Sequence, residues 1–182
     1  GVKSGIPEAA GALAVVRACA SGLQAILSAA RQIGSGHSRI ALAGGAECYS
    51  RAPHAVTEAR WGAKRGPIML EDTLDRACRC PFSQDYMGET AGNLAEEFQY
   101  DREAMDEWGA MSQSRALAAI ASGFPGRQTV PIDVPEGRGT RSFAVDESPR
   151  SDATPERLAR LKSAFRDGGK VTAGTSSGVT DG

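Results

Sequence analysis

Large aromatic side chains are scarce in this 182-residue chain, at 5% of the composition. A core built here must close on small residues, and the 22 glycines let backbone approach backbone without a side chain between. Charge of one sign is lacking as well. The formal net charge is -1, which leaves no electrostatic footprint for nucleic acid or an anionic membrane. No apolar run approaches the ~20 residues that cross a bilayer, and no signal peptide is visible. Cys19, Cys48, Cys78 and Cys80 form no CxxC pair and have no histidines at ligand spacing, which argues against zinc. They read as reduced thiols, and a cytoplasmic location is the expectation. The chain opens Gly1-Val2-Lys3-Ser4 without an initiator Met, so it is expected to be an internal piece of a longer protein.

What is present suffices for a core: 41% of residues are hydrophobic, in a length suited to one domain or one domain with a large insertion. Most of the 21 basic residues are arginine, the side chain better suited to fork-like binding of phosphate or carboxylate. Ala12 to Ala18 reads as a short buried strand centred on Val15 and Val16. A helix then starts at Ser21-Gly22, with Leu23, Ile26, Leu27, Ala30 and Ile33 at helical spacing, and Gly34-Ser35-Gly36 stops it. Ile40 to Ala43 reads as a second strand. Strand, helix and strand of this character predict an α/β layer.

From Ser50 to about Lys170 the chain is more polar. Glu89–Phe98 and Arg102–Ser122 read as helices, and Thr129–Val134 and Arg141–Val145 as extended pieces split by Gly137 and Gly139. Thr154-Pro155-Glu156 starts a further helix, expected to run to about Phe165. From Lys170-Val171-Thr172-Ala173-Gly174 the small, strand-like character returns. The simplest organisation is a core of residues 1–49 and 171–182 interrupted by residues 50–170, an insertion of domain size.

Cys19 lies where the first strand gives way to the helix, in Ala18-Cys19-Ala20-Ser21-Gly22. Unpaired N–H groups and the positive end of the macrodipole favour an anion at a helix start, and the thiolate is the attacking form of cysteine. Its small neighbours leave room for a bulky acyl donor. A buried structural cysteine fits the same position equally well, since free cysteine often acts as a small hydrophobe.

The segment Cys19-Ala20-Ser21-Gly22-Leu23-Gln24-Ala25 resembles the nucleophile segment of thiolases, which make or cleave 3-ketoacyl-CoA thioesters. The likeness continues through Ala43-Gly44-Gly45-Ala46-Glu47, Ser50-Arg51-Ala52-Pro53, Met87-Gly88-Glu89-Thr90-Ala91, Ser112-Gln113 and Val171-Thr172-Ala173-Gly174 with Ser177-Gly178, across essentially the whole chain. The resemblance implies a thiolase-like layered α/β/α core, present here in part, with a large inserted loop domain that covers the CoA. It implies no permanently bound cofactor, with coenzyme A and acyl-CoA as substrates, and a homodimer or homotetramer at full length. Cys19 would accept the acyl group, and its backbone N–H is similar in position to an oxyanion-hole donor. Met87 would line the acyl pocket, Arg150 would lie along the CoA, and Ser177 would bond its pantetheine arm. Met87 also fits ordinary core filling. Between Arg150 and Lys170 basic residues outnumber acidic ones, which suits CoA phosphates, although Arg157, Arg160 and Lys162 also fit a solvated helix face.

The chain departs from the family pattern in three ways. The family's catalytic histidine and second cysteine find no match here, since His37 and His54 sit in no family motif and read as loop and surface-turn residues. Without that base the chain alone is expected not to turn over. Tyr86 stands where acetoacetyl-type members often carry a histidine, which leans towards a longer or broader 3-ketoacyl substrate. Thr175 replaces a common asparagine, and a hydroxyl cannot reproduce both sides of an amide. A ketosynthase-like condensing enzyme and a non-catalytic CoA- or lipid-binding relative are the competing readings. Mitochondria and peroxisomes, like the bacterial cytosol, host the family.

Overall fold

The structure is a computed structural model that describes residues 2–182. Its contacts sort into two units, one comprising residues up to Arg51 with Thr180–Gly182, the other Ala52–Val179.

In the first unit the predicted helix forms as α1, Ser21–Gly34. The Ser35 N–H donates to the Arg31 carbonyl at 2.9 Å and the Gly36 N–H to the Ile33 carbonyl at 3.0 Å, with Gly36 at φ +76° taking the left-handed turn. The expected strands at 12–18 and 40–43 do not form ladders: among the described residues the first has only an isolated bridge, Arg17 with Cys19, and the second has none. Apolar composition marks a segment for burial, whereas a strand exists only when a neighbour takes its N–H and C=O groups. Val16 and Ile40 accordingly stand 90% and 91% exposed, and the apolar face of α1 is open at Leu23, Ile26 and Ile33. The unit closes at its sequence ends. Glu47 and Gly182 exchange backbone hydrogen bonds, while the Asp181 carboxylate accepts the Ser50 N–H at 2.8 Å and the Ser50 hydroxyl.

The second unit holds the buried side chains. Its main helices are α3, Met87–Glu97, and α4, Arg102–Ala121. Asp101 caps α4 through the Ala104 N–H at 2.7 Å, and Gly123 at φ +71° follows its end. Two features lie outside the sequence reading, a short antiparallel pair β1, His54–Ala55, with β2, Glu71–Asp72, and α2, Thr73–Ala77. His54 is therefore a strand residue, still exposed. The two extended pieces form a hairpin, β3 (Ile132–Glu136) with β4 (Gly139–Phe143), turned at Gly137 with φ +58°.

The helix after Thr154 is shorter than predicted: α5 spans only Pro155–Leu158. Its continuation is taken by other partners. Arg102 Nη2 donates to the Leu158 and Leu161 carbonyls at 2.6 and 3.1 Å. Ala164 N–H then donates to Val171 O at 3.0 Å, pairing the chain with itself instead of propagating the helix. Around these contacts sit Ala95, Asp106, Ala110, Leu158, Val171 and Thr172, all buried. Close packing rests on two glycines. A Cβ at Gly109 would lie 3.0 Å from Gly174 O, and one at Gly174 would lie 2.5 Å from Leu158 Cδ2.

Candidate active site

Cys19 is exposed and sits two residues ahead of the first residue of α1. The residue before it, Ala18, holds φ at +47°, in the left-handed region. For a residue with a Cβ that conformation costs about 1–2 kcal/mol, and it turns the chain abruptly into the helix. Local bonds hold the turn. Ala20 N–H donates to Arg17 O and Ser21 N–H to Ala18 O, each at 3.0 Å. The Ser21 hydroxyl accepts Arg17 N–H at 2.8 Å and donates to Ala18 O at 2.7 Å. The sulfur is thus presented at a helix start on a strained turn, open to a large reagent.

The other expected site residues, Met87, Arg150 and Ser177, belong to the second unit. Met87 opens α3, half exposed, with its N–H on Cys78 O at 3.0 Å. Ahead of it, Tyr86 N–H donates to Glu89 Oε2 at 2.9 Å, which fixes the first turn. Arg150 is tethered locally: its backbone N–H bonds Gln113 Oε1 at 2.8 Å and its exposed guanidinium bonds Asp152 at 3.2 and 3.4 Å. Arg150 holds the Asp152 carboxyl below its usual range, with Arg157 adding to the effect at 3.1 Å. Ser177 is exposed beyond the turn Ala173–Thr175, which packs on α4. Thr175 is occupied locally, its hydroxyl accepting Thr172 N–H at 3.0 Å.

Among the described residues of the first unit, no hydrogen bond joins His37 to Cys19. His37 Nδ1 bonds Ser35 Oγ at 2.7 Å in an exposed turn, and His54 lies in the other unit. Among the described residues no cluster of His, Cys, Asp and Glu is suited to a metal ion, and no helix is long and apolar enough to cross a membrane.

Two groupings had no distinct signal in the sequence. Asp75, Arg79 and Tyr86 form a polar knot: Tyr86 hydroxyl donates to Asp75, Arg79 Nε bonds Asp75 at 2.9 Å, and the Arg79 guanidinium lies 3.9 Å above the Tyr86 ring. Tyr86 also meets Phe165, with ring centroids 6.5 Å apart. Close by in sequence, the Cys80 thiol is pulled down from its ordinary value by the Ser83 and Phe82 backbone N–H groups and the Ser83 hydroxyl. These contacts depend on the loop at Gln84, φ +65°, which sequence spacing does not reveal.

The same fold recurs in solved thiolases. The chain superposes with a TM-score of 0.92 on the Bacillus anthracis acetyl-CoA acetyltransferase, at 43% identity over 99% of this chain and 46% of that one. It superposes with a TM-score of 0.90 on human mitochondrial 3-ketoacyl-CoA thiolase in complex with CoA, at 36% identity over 99% of this chain and 45% of that one. This is the α/β fold of thiolases. The model of the thiolase N-terminal domain matches residues 1–182, and the chain belongs to the thiolase family. Among its relatives, beta-ketothiolase BktB of Cupriavidus necator is 42% identical over 181 residues, 99% of this chain and 46% of that protein. Mouse mitochondrial 3-ketoacyl-CoA thiolase is 39% identical over 188 residues, all of this chain and 46% of that protein. The chain spans a little under half the length of the curated relatives it matches.

Proposed function

We propose that the protein containing this chain is a thiolase-type acyltransferase, with Cys19 as its acyl-accepting nucleophile. The observation that carries this is the exposed Cys19 sulfur on a strained turn at the start of α1, within a chain of the thiolase family. In the degradative direction the Cys19 thiolate attacks the 3-keto carbon of a 3-ketoacyl-CoA. The C2–C3 bond breaks, acetyl-CoA leaves as a carbanion that takes up a proton, and the acyl group stays as a Cys19 thioester. A CoA thiol then attacks that thioester, the acyl group passes to CoA, and Cys19 is regenerated. Run in reverse, an acetyl-CoA carbanion takes the acyl group in a Claisen condensation. Catalysis is of the 2.3.1 acyltransferase kind and belongs to fatty acid metabolism.

In this reading Met87 lines the acyl pocket, Arg150 runs along the CoA and Ser177 bonds its pantetheine arm. Residues 50–170 form the loop domain that covers the CoA, and 1–49 with 171–182 belong to the core. CoA and acyl-CoA enter as substrates, with no permanent cofactor. The full protein assembles as a homodimer or homotetramer in the cytoplasm. Tyr86, engaged by Asp75 and Arg79, supports a longer or broader 3-ketoacyl substrate than acetoacetyl-CoA.

The test is acyl transfer itself. Full-length protein given radiolabelled acetyl-CoA should hold label on the Cys19 peptide, discharge it on adding CoA, and lose it in Cys19→Ser. Label carried by acyl carrier protein thioesters and not by acyl-CoA would point to a ketosynthase instead. No label from either would leave a non-catalytic relative.

A further inference from the structure

We propose that Ser21 is the positioning residue of Cys19, an inference that rests on Cys19 being the nucleophile. Ser21 is the first residue of α1, yet its hydroxyl does not cap the helix, and the N-cap residue Ala20 makes no side-chain cap either. The hydroxyl points backward instead. It accepts from Arg17 N–H at 2.8 Å and donates to Ala18 O at 2.7 Å, bracketing the one residue of the turn held at positive φ. A strained conformation persists only where its surroundings over-determine it. Here the two backbone bonds from Ala20 and Ser21 supply part of that constraint, and the Ser21 side chain supplies the rest.

The clamp therefore acts on the nucleophile through its backbone. Arg17 and Ala18 lead directly into Cys19, so losing the hydroxyl's bonds to Arg17 N–H and Ala18 O, with only the Ser21 N–H left on Ala18 O, lets Ala18 relax and carries the sulfur away from the helix start. Threonine keeps a hydroxyl that reaches both partners, whereas alanine keeps neither contact. A displacement of about 1 Å at a reacting atom is enough to cost roughly 100-fold in rate.

The experiment compares full-length wild type, Ser21→Ala and Ser21→Thr by two readouts. The first is limiting iodoacetamide, with the ratio of Cys19 to Cys80 labelling read by peptide mass spectrometry. That ratio cancels reagent dose and global opening. The second is acyl-Cys19 formation from acetyl-CoA. Ser21→Ala is expected to lower the ratio about tenfold and acylation by roughly 10- to 100-fold, with Ser21→Thr within about threefold of wild type. A wild-type ratio in Ser21→Ala, or a Ser21→Thr as impaired as Ser21→Ala, would overturn the proposal. The two readings separate cleanly. Ser21-dependent alkylation with no acylation of the wild type upholds the clamp and defeats the acyl-transfer function. Normal acylation in both variants upholds the function and defeats the clamp.

Discussion

The Tyr86 hydroxyl donates to the Asp75 carboxylate across 11 residues of chain, tying the start of α3 to α2. Arg79 joins both partners, so the phenol is engaged on its oxygen and on its face. Arg79, then Tyr86, holds the Asp75 carboxyl below its ordinary value of 3.8. A carboxyl whose folded value is depressed contributes stability above the unfolded value and loses it as pH falls through the folded one. The knot should therefore be intact at neutral pH and weaken below about pH 4. Thermal melts of wild type and Asp75→Asn should differ at pH 7 and converge towards pH 3. A constant difference across that range would show that the Asp75 charge is not what matters.

Gly88→Ala should displace the Phe165 ring, the outer end of a partly exposed side chain. A Cβ there would lie 2.1 Å from Phe165 Cε2 and 2.3 Å from Cζ, so the ring must leave its place over α3. Overpacking of this kind costs typically about 1–3 kcal/mol. Urea unfolding should show that loss in Gly88→Ala and recover part of it when Phe165→Leu is added. Simple additivity of the two changes would mean the predicted clash is not felt.

Arg102→Ala should be among the more damaging changes in the second unit. Asp106 is 2% exposed, and Arg102 Nε at 2.7 Å is its charge partner while Oδ1 has none in the protein. Removing one member of a buried pair typically costs about 3–5 kcal/mol. Arg102 also holds the Leu158 and Leu161 carbonyls, so α5 should loosen with it. Hydrogen exchange at Leu158 and Ala159 would report this. Unchanged protection together with unchanged urea stability would contradict the assignment.

The cysteines should differ in reactivity in a set order. Cys80 is favoured as thiolate by the donors of Ser83 and Phe82, whereas the Cys48 sulfur faces the Asp181 carboxylate at 4.0 Å. A lower thiol value trims intrinsic nucleophilicity, but down to the ambient pH the larger thiolate fraction outweighs that. Iodoacetamide at pH 7 should modify Cys80 severalfold faster than Cys48, and Ser83→Ala should narrow the gap. Equal rates read by mass spectrometry would refute the difference.

Much of this was legible in the sequence, because local rules wrote it. The spacing of Leu23, Ile26, Leu27 and Ile33 specified α1, and the reading of Arg102–Ser122 as a helix matches α4 within one residue. The position of Cys19 at a helix start followed from the same pattern. The left-handed Ala18 did not, since alanine carries no signal for positive φ. Long-range competition explains the rest. The α5 helix gives way at Leu158, where Arg102, 56 residues away, donates to the Leu158 carbonyl. The segments 12–18 and 40–43 read as strands on composition, but a ladder requires a partner that composition alone does not supply. Tyr86 was visible as a departure from family pattern, yet its bonds to Asp75 and Arg79 required the coordinates.

The bond from Asp181 to Ser50 spans 131 residues, and this sets an order of events during synthesis. The first unit emerges from the ribosome long before the residues that close it, whereas Ala52–Val179 carries its own buried core and can fold as soon as it is complete. Protease protection on stalled nascent chains should thus appear first in the inner segment and only afterwards around Glu47 and Ser50. The segment that carries Cys19 is thus made well before Asp181, the residue whose carboxylate closes its unit.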